Sequence, residues 1–177
     1  RAEIAALSQV SASKDEQLNF LQSTHDRLVT DLKREIEAGE IKISQYKNLL
    51  TVNLVEKILF DSGKTEIKSR GKEILKRVGE ILNTTNKEIR IEGHTDNVPI
   101  GPVLAAKYPT NWELSAARAT VVARYFQEEV EIPPEKLAPT GYGPYRPVTS
   151  NDTLEERAQN RRIEIILAPL SHNVEVN

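Results

Sequence analysis

Two short stretches hold side chains whose types and spacing could do chemistry: Gly93-His94-Thr95-Asp96, and the run Asn111-Trp112-Glu113-Leu114-Ser115-Ala116-Ala117-Arg118. They offer a carboxylate, Asp96, just past a strand, and a guanidinium, Arg118, early on a helix. Such a pair can clamp a zwitterion, Asp96 taking an ammonium and Arg118 a carboxylate. Each charge-assisted contact of this kind contributes about 1.5–3 kcal/mol when shielded and little when exposed, so burial decides whether the pair is a site.

The elements that must position these groups are legible nearby. Glu88-Ile89-Arg90-Ile91-Glu92 alternates polar and apolar like a half-buried strand, and Gly93 lets the chain turn, delivering Asp96 to a loop at the strand's end. Thr110 and Glu113 have the spacing of a capping box, so a helix starts near Asn111 and carries Leu114, Ala117, Val121 and Tyr125 toward the core. Asn111, Ser115 and Arg118 then line a neighbouring stripe near the positive end of the helix dipole.

Other chemistry is poorly served. Glu92, His94 and Asp96 could be drawn as metal ligands, but alternation keeps them on one side only until Gly93 bends the chain, and no further ligand cluster is visible; no metal and no cofactor are expected. Ser115 has no evident histidine partner for nucleophilic catalysis. His94 is expected to order its loop by hydrogen bonds, Trp112 to seat its helix, and Tyr142 and Tyr145 to serve as packing or rim residues.

The 177 residues carry a net charge of -2, split as five basic and eight acidic side chains in residues 1–40 and nineteen basic and eighteen acidic in the remainder. Neither part has the basic excess of a nucleic-acid binder. There is no cysteine, hence no disulfide framework, thiol nucleophile or thiolate metal site. No apolar run approaches the ~20 residues of a membrane span. The chain opens on Arg1 and contains no methionine, so a fragment or processed product is expected.

From Ile4 onward a heptad template places Ile4, Ser11, Leu18, His25 and Leu32 at one seam position and Leu7, Lys14, Leu21, Leu28 and Glu35 at the other. A helix of roughly 30 residues is expected up to Gly39, either pairing as a dimeric coiled coil or lying as a single amphipathic helix on its own domain or a partner. Ile41 and Ile43 mark a short strand; Leu50, Val52, Leu54, Ile58 and Phe60 share the parity of a longer one, closed by a turn at Asp61-Ser62-Gly63. A helix is expected over Glu66–Leu82, a strand over Ile89–Gly93, a long loop from Asn97 to Pro109, the Arg118 helix as far as Gln127 or Glu129, and a third strand over Leu137–Thr140. Thr153-Leu154-Glu155-Glu156 caps a short helix before a last strand through Ile163, Ile165 and Leu167. The fold class is α/β, an α+β sandwich with β-α-β-α-β-(short α)-β order and a mixed sheet. Its units are a helical stalk (1–39), a connector (40–49), the main domain (50–169) and a loose tail (170–177).

Four segments, Ile58 to Gly63, Gly93 to Asp96, Asn111 to Ala119 and Asn160 to Ile165, resemble in order the motifs of the OmpA-like peptidoglycan-binding domain, over roughly Leu50 to Pro169. The resemblance implies a non-catalytic module that grips the diaminopimelate of the peptidoglycan stem peptide, with Asp96 and Arg118 as anchors, Thr95, Asn111 and Arg161 in support, and Phe60, Asp61 and Arg162 as further candidates. Of the arginine pair, Arg161 is favoured as the ligand-side member. The long segment after Asp96 and the wording around Trp112 are more similar to the flagellar stator, MotB-like, members. The resemblance further implies a periplasmic location in a diderm envelope, a membrane anchor elsewhere in the full protein, and tethering of that protein to the wall. The partners implied are peptidoglycan and, through the first helix, a second copy of the chain. A wall hydrolase and an adaptor acting through the first helix are the rival readings.

Overall fold

The computed structural model describes residues 2–169, so the tail expected after Pro169 lies outside the described residues. Free of glycine and proline, the chain begins with a long helix, α1 (Ala2–Asp31), followed by a short one, α2 (Lys33–Glu37). Residues 2–20 are exposed throughout, whereas Leu21, Leu28 and Leu32 are fully buried in the same hydrophobic core as the rest of the chain. Arg77 fixes this second half in place, donating to Asp31 O at 2.8 Å and to Glu35 Oε1 at 2.5 Å.

Strands β1 (Ile41–Tyr46) and β2 (Leu49–Val55) form an antiparallel hairpin. With β3 (Glu88–His94), β4 (Leu137–Gly141) and β5 (Arg162–Ala168) they build one mixed sheet of order β1-β2-β5-β3-β4, in which only β3 and β4 run parallel. Its register stacks apolar rows toward the core: Leu54 opposite Ile163, Val52–Ile165–Ile91, and Leu50–Leu167–Ile89. A one-residue slip would turn every one of these side chains out, so the register is strongly specified. The alternate rows, Asn53–Glu164–Glu92 and Val55–Arg162–His94, carry polar groups on the opposite face.

Helices α4 (Ser69–Asn83) and α6 (Asn111–Glu129) cover the apolar face, α4 burying Ile74, Leu75, Val78, Ile81 and Leu82. Three sequence expectations are corrected. The strand through Phe60 stops at Val55, because β5 opposite it begins at Arg162; the backbone then satisfies its own groups in a helical turn, α3 (Glu56–Leu59). Helix α4 starts at Ser69, since Ile67 is held in a bridge to Phe60. Helix α6 is rotated by one residue: it buries Leu114, Ser115, Arg118, Ala119, Val122, Ala123 and Phe126, leaving Ala117, Val121 and Tyr125 half-buried. The segment 97–109 contains a short helix, α5 (Pro102–Ala105), and α7 (Leu154–Asn160) precedes β5.

Candidate binding groove

Strand β3 ends close against the start of α6. A Cβ on Gly93 would lie 2.2 Å from Ser115 O, and one on Gly141 of the adjoining strand 2.3 Å from Ala116 N. Gly93 is therefore part of the strand and is needed for the close approach of the helix, whereas the sequence suggests a turn there. The Thr110–Glu113 capping box starts α6 where expected. The consequence is that Asp96, just past β3, and Arg118, two turns into α6, face one open groove of about 690 Å³.

Asp96 is 8% exposed, accepting from Val98 N at 3.0 Å through Oδ1 and from Arg161 Nη1 at 2.7 Å through Oδ2. Arg118, 4% exposed, donates through Nε to Lys64 O at 3.0 Å and lies with its guanidinium 5.1 Å from the ring centre of buried Phe60. Glu56, at the start of α3, joins the two halves: Oε1 is 2.7 Å from Arg118 Nη2 and Oε2 is 3.0 Å from Arg161 Nε. These are ion pairs by distance without hydrogen-bond alignment, so Arg118 Nη2 and Glu56 Oε2 retain unspent bonding capacity. Asp96, Arg161, Glu56 and Arg118 thus form a line of alternating charge with no net charge.

Of the remaining candidates, Asn111, Thr95 and Phe60 lie around this line, whereas Asp61 and Arg162 turn away from it. Asn111 lines the groove and donates to Val98 O at 2.9 Å, pinning the loop that makes its far wall from Val98, Pro99, Ile100 and Leu104. Tyr108 bonds Thr65 at 3.0 Å between their hydroxyls and anchors the other end of that loop; this bond, foremost among its causes, pulls the Tyr108 phenol below its usual range. Thr95 is buried, with its hydroxyl donating to Asp96 O and its N–H to Gly143 O, so it shapes the turn. Ser115 is likewise committed, donating to Trp112 O and accepting from Gly143 N. Phe60 forms the floor beneath Arg118, while the exposed Asp61 carboxylate turns to Lys64 and Lys68 at 3.4 and 3.9 Å, and its carbonyl accepts from Lys64 N. Arg161 and Arg162 part company by strand alternation: Arg161 enters the groove, and Arg162 bonds Glu164, Asn160 O and Arg146 O on the opposite face.

Two aromatic expectations also change. His94 makes no ring hydrogen bond among the described residues and stacks on Tyr142 at 5.4 Å, with Arg146 3.7 Å above the tyrosine. Trp112 is 47% exposed and stacks on Tyr145 instead of seating α6 in the core. Glu56 was invisible to sequence reasoning because the strand expected through Phe60 gave it the parity of the core-facing Leu54 and Ile58, with nothing to mark it as a groove residue.

Residues 59–161 match the OmpA family. The chain belongs to the OmpA family. It is 38% identical over 148 residues to YtxE of Bacillus subtilis, covering 84% of this chain and 55% of that protein. It is 33% identical over 159 residues to motility protein B of the same organism, covering 89% and 59%. The chain thus spans between half and two thirds of the length of these curated relatives. Among solved structures, a MotB-like protein from Desulfovibrio vulgaris superposes with a TM-score of 0.78 at 28% identity, covering 88% of this chain and 98% of that one. The cell wall anchor of the T6SS from Pseudomonas aeruginosa superposes with a TM-score of 0.73 at 28% identity, covering 82% and 99%. The OmpA-like, MotB-like fold is therefore established on both sequence and structure.

Proposed function

We propose that this OmpA-family domain binds cell-wall peptidoglycan without cleaving it, gripping the free zwitterionic end of diaminopimelate in the stem peptide. The observation that carries the reading is the net-neutral line Asp96–Arg161–Glu56–Arg118 along one groove, buried at Asp96 and Arg118 and half-buried between them. A ligand bearing an ammonium and a carboxylate on one carbon adds no net charge to such a groove. It places its ammonium at the Asp96 end and its carboxylate at the unspent Nη2 of Arg118. A lysine-type stem peptide lacks the second carboxylate and forfeits the arginine contact. The solved cell wall anchor and the motility protein among its relatives support a tethering role in the envelope. In that reading the chain lies in the periplasm. No described helix is long and apolar enough to cross a membrane.

Weak single-site binding is sufficient for such a tether, because a polymeric wall and a dimeric protein raise the effective concentration. The exposed Ile4, Leu7 and Leu18 of α1 supply a seam for that dimer. A hydrolase reading gains nothing from Ser115, whose hydroxyl is spent on Trp112 and Gly143.

Co-sedimentation with purified diaminopimelate-type and lysine-type peptidoglycan tests the proposal. The native chain is retained by the first and much less by the second; folded Asp96→Ala and Arg118→Ala variants are lost from both; and no fragments appear in the supernatant. Undiminished retention of both variants overturns this site, and released fragments overturn the non-catalytic reading.

A further inference from the structure

The sheet face opposite the core helices carries a second cluster, unconnected with the groove. Cross-strand register sets Glu92 of β3 directly opposite Glu164 of β5, with His94 and Arg162 paired one row further on. His94 Nε2 lies 3.7 Å from Glu92 Oε2, their side chains 2% and 10% exposed, and one donor atom from each of Glu92, His94 and Glu164 lies within 4.8 Å of the other two. Both ring nitrogens of His94 are buried without a hydrogen-bond partner among the described residues. A buried polar group left in that condition is costly. The ring is held there by stacking on Tyr142, itself covered by Arg146, so packing fixes its direction.

We propose that Glu92, His94 and Glu164 form a binding site for a divalent transition-metal ion of the zinc class. One imidazole and two carboxylates are a donor set suited to such an ion. Donors about 2.0–2.2 Å from a tetrahedral ion lie roughly 3.4 Å from one another. The Glu92–His94 separation is already close to that, and Glu164, the most exposed of the three at 18%, supplies the remaining approach by side-chain rotation. The charge balance points the same way. Two carboxylates placed directly opposite repel each other. Arg162 offsets one of them through its 2.8 Å bond to Glu164 Oε1, and its other nitrogens are committed to Asn160 O and Arg146 O. A dication shared by the three side chains relieves the remaining carboxylate charge, leaving the cluster with one net positive charge, and satisfies His94 Nε2. It also braces the end of β3 against β5. From the sequence only Asp96 could be drawn as a third ligand and no metal was expected; that carboxylate belongs to the groove, and only the β3–β5 register brings in Glu164.

Isothermal titration of the chelator-stripped chain with zinc chloride at pH 7, paired with thermal melting, tests this site. One saturable equivalent and a raised melting temperature are expected, with magnesium chloride giving neither. His94→Gln and Glu164→Gln each weaken zinc binding about tenfold or more, while a His25→Ala/His172→Ala variant, lacking the chain's other two histidines, binds as the native chain does. If His94→Gln fails to fold by circular dichroism, the partly exposed Glu164→Gln decides. Absence of a saturable equivalent, or full affinity in the folded variants, overturns the proposal.

Discussion

Arg118 and Glu56 form an ion pair 2.7 Å apart, with side-chain exposures of only 5% and 12%, at the centre of the groove. Neither end is free to relax into water, so the pair ties α6 to α3 and at the same time sets the charge pattern that a ligand meets. Removing one partner of a buried pair leaves an uncompensated charge and costs about 3–5 kcal/mol.

A double-mutant cycle on Glu56→Gln and Arg118→Ala is therefore expected to show a coupling of about 0.5–3 kcal/mol, the double variant being less destabilised than the sum of the singles. Urea denaturation of the four proteins measures it. Additive effects would mean that the two side chains do not act as a pair.

Asn111→Ala removes the 2.9 Å bond to Val98 O, a contact worth about 0.5–1.5 kcal/mol, and so leaves the fold intact. Hydrogen exchange is expected to quicken at the amides of residues 98–101 while α4 stays protected. Equal protection in this segment would show that Asn111 does not pin the groove wall.

Gly93→Ala sets a methyl group 2.2 Å from the backbone oxygen of Ser115, a contact that only displacement of α6 can relieve. A loss of at least about 3 kcal/mol is expected, read as a drop in melting temperature of roughly 6–12 °C. Glycine-to-alanine at Gly101, where the added methyl meets nothing within 4 Å, is the control and is expected to melt close to the native value.

Glu35 supplies a pH dependence. Burial pushes its carboxyl up, but its bond from Arg77 and the charges of Arg77 and Arg70 outweigh this and hold it below the ordinary range. A carboxyl lowered in the folded state contributes stability above its unfolded value, about pH 4.3, and loses it as pH falls through the folded value. The melting-temperature difference between the native chain and Glu35→Gln is expected to be full at pH 6 and to shrink on acidification below about pH 4. A difference independent of pH would separate Glu35 from the docking of the first helix.

Much of this protein was determined locally, and those parts were legible in the residues themselves. Alternation marked β2, β3 and β5, two capping boxes marked the starts of α6 and α7, and strand-end and helix-start positions singled out Asp96 and Arg118. These signals depend on contacts a few residues apart, which spacing encodes directly. Tertiary structure decided what depends on distant partners. The start of β5 halts β2 at Val55 and so brings Glu56 into the groove; strand alternation at a particular register sends Arg161 to Asp96 and Arg162 to Glu164; docking on α4 buries Leu21, Leu28 and Leu32 while residues 2–20 stay exposed. Gly93 belongs to the same class, since its need for a bare Cα comes from Ser115, on a helix that follows a long loop further along the chain. Local periodicity cannot distinguish such arrangements, because each is a choice among neighbours that only the packed sheet and helices bring within contact distance.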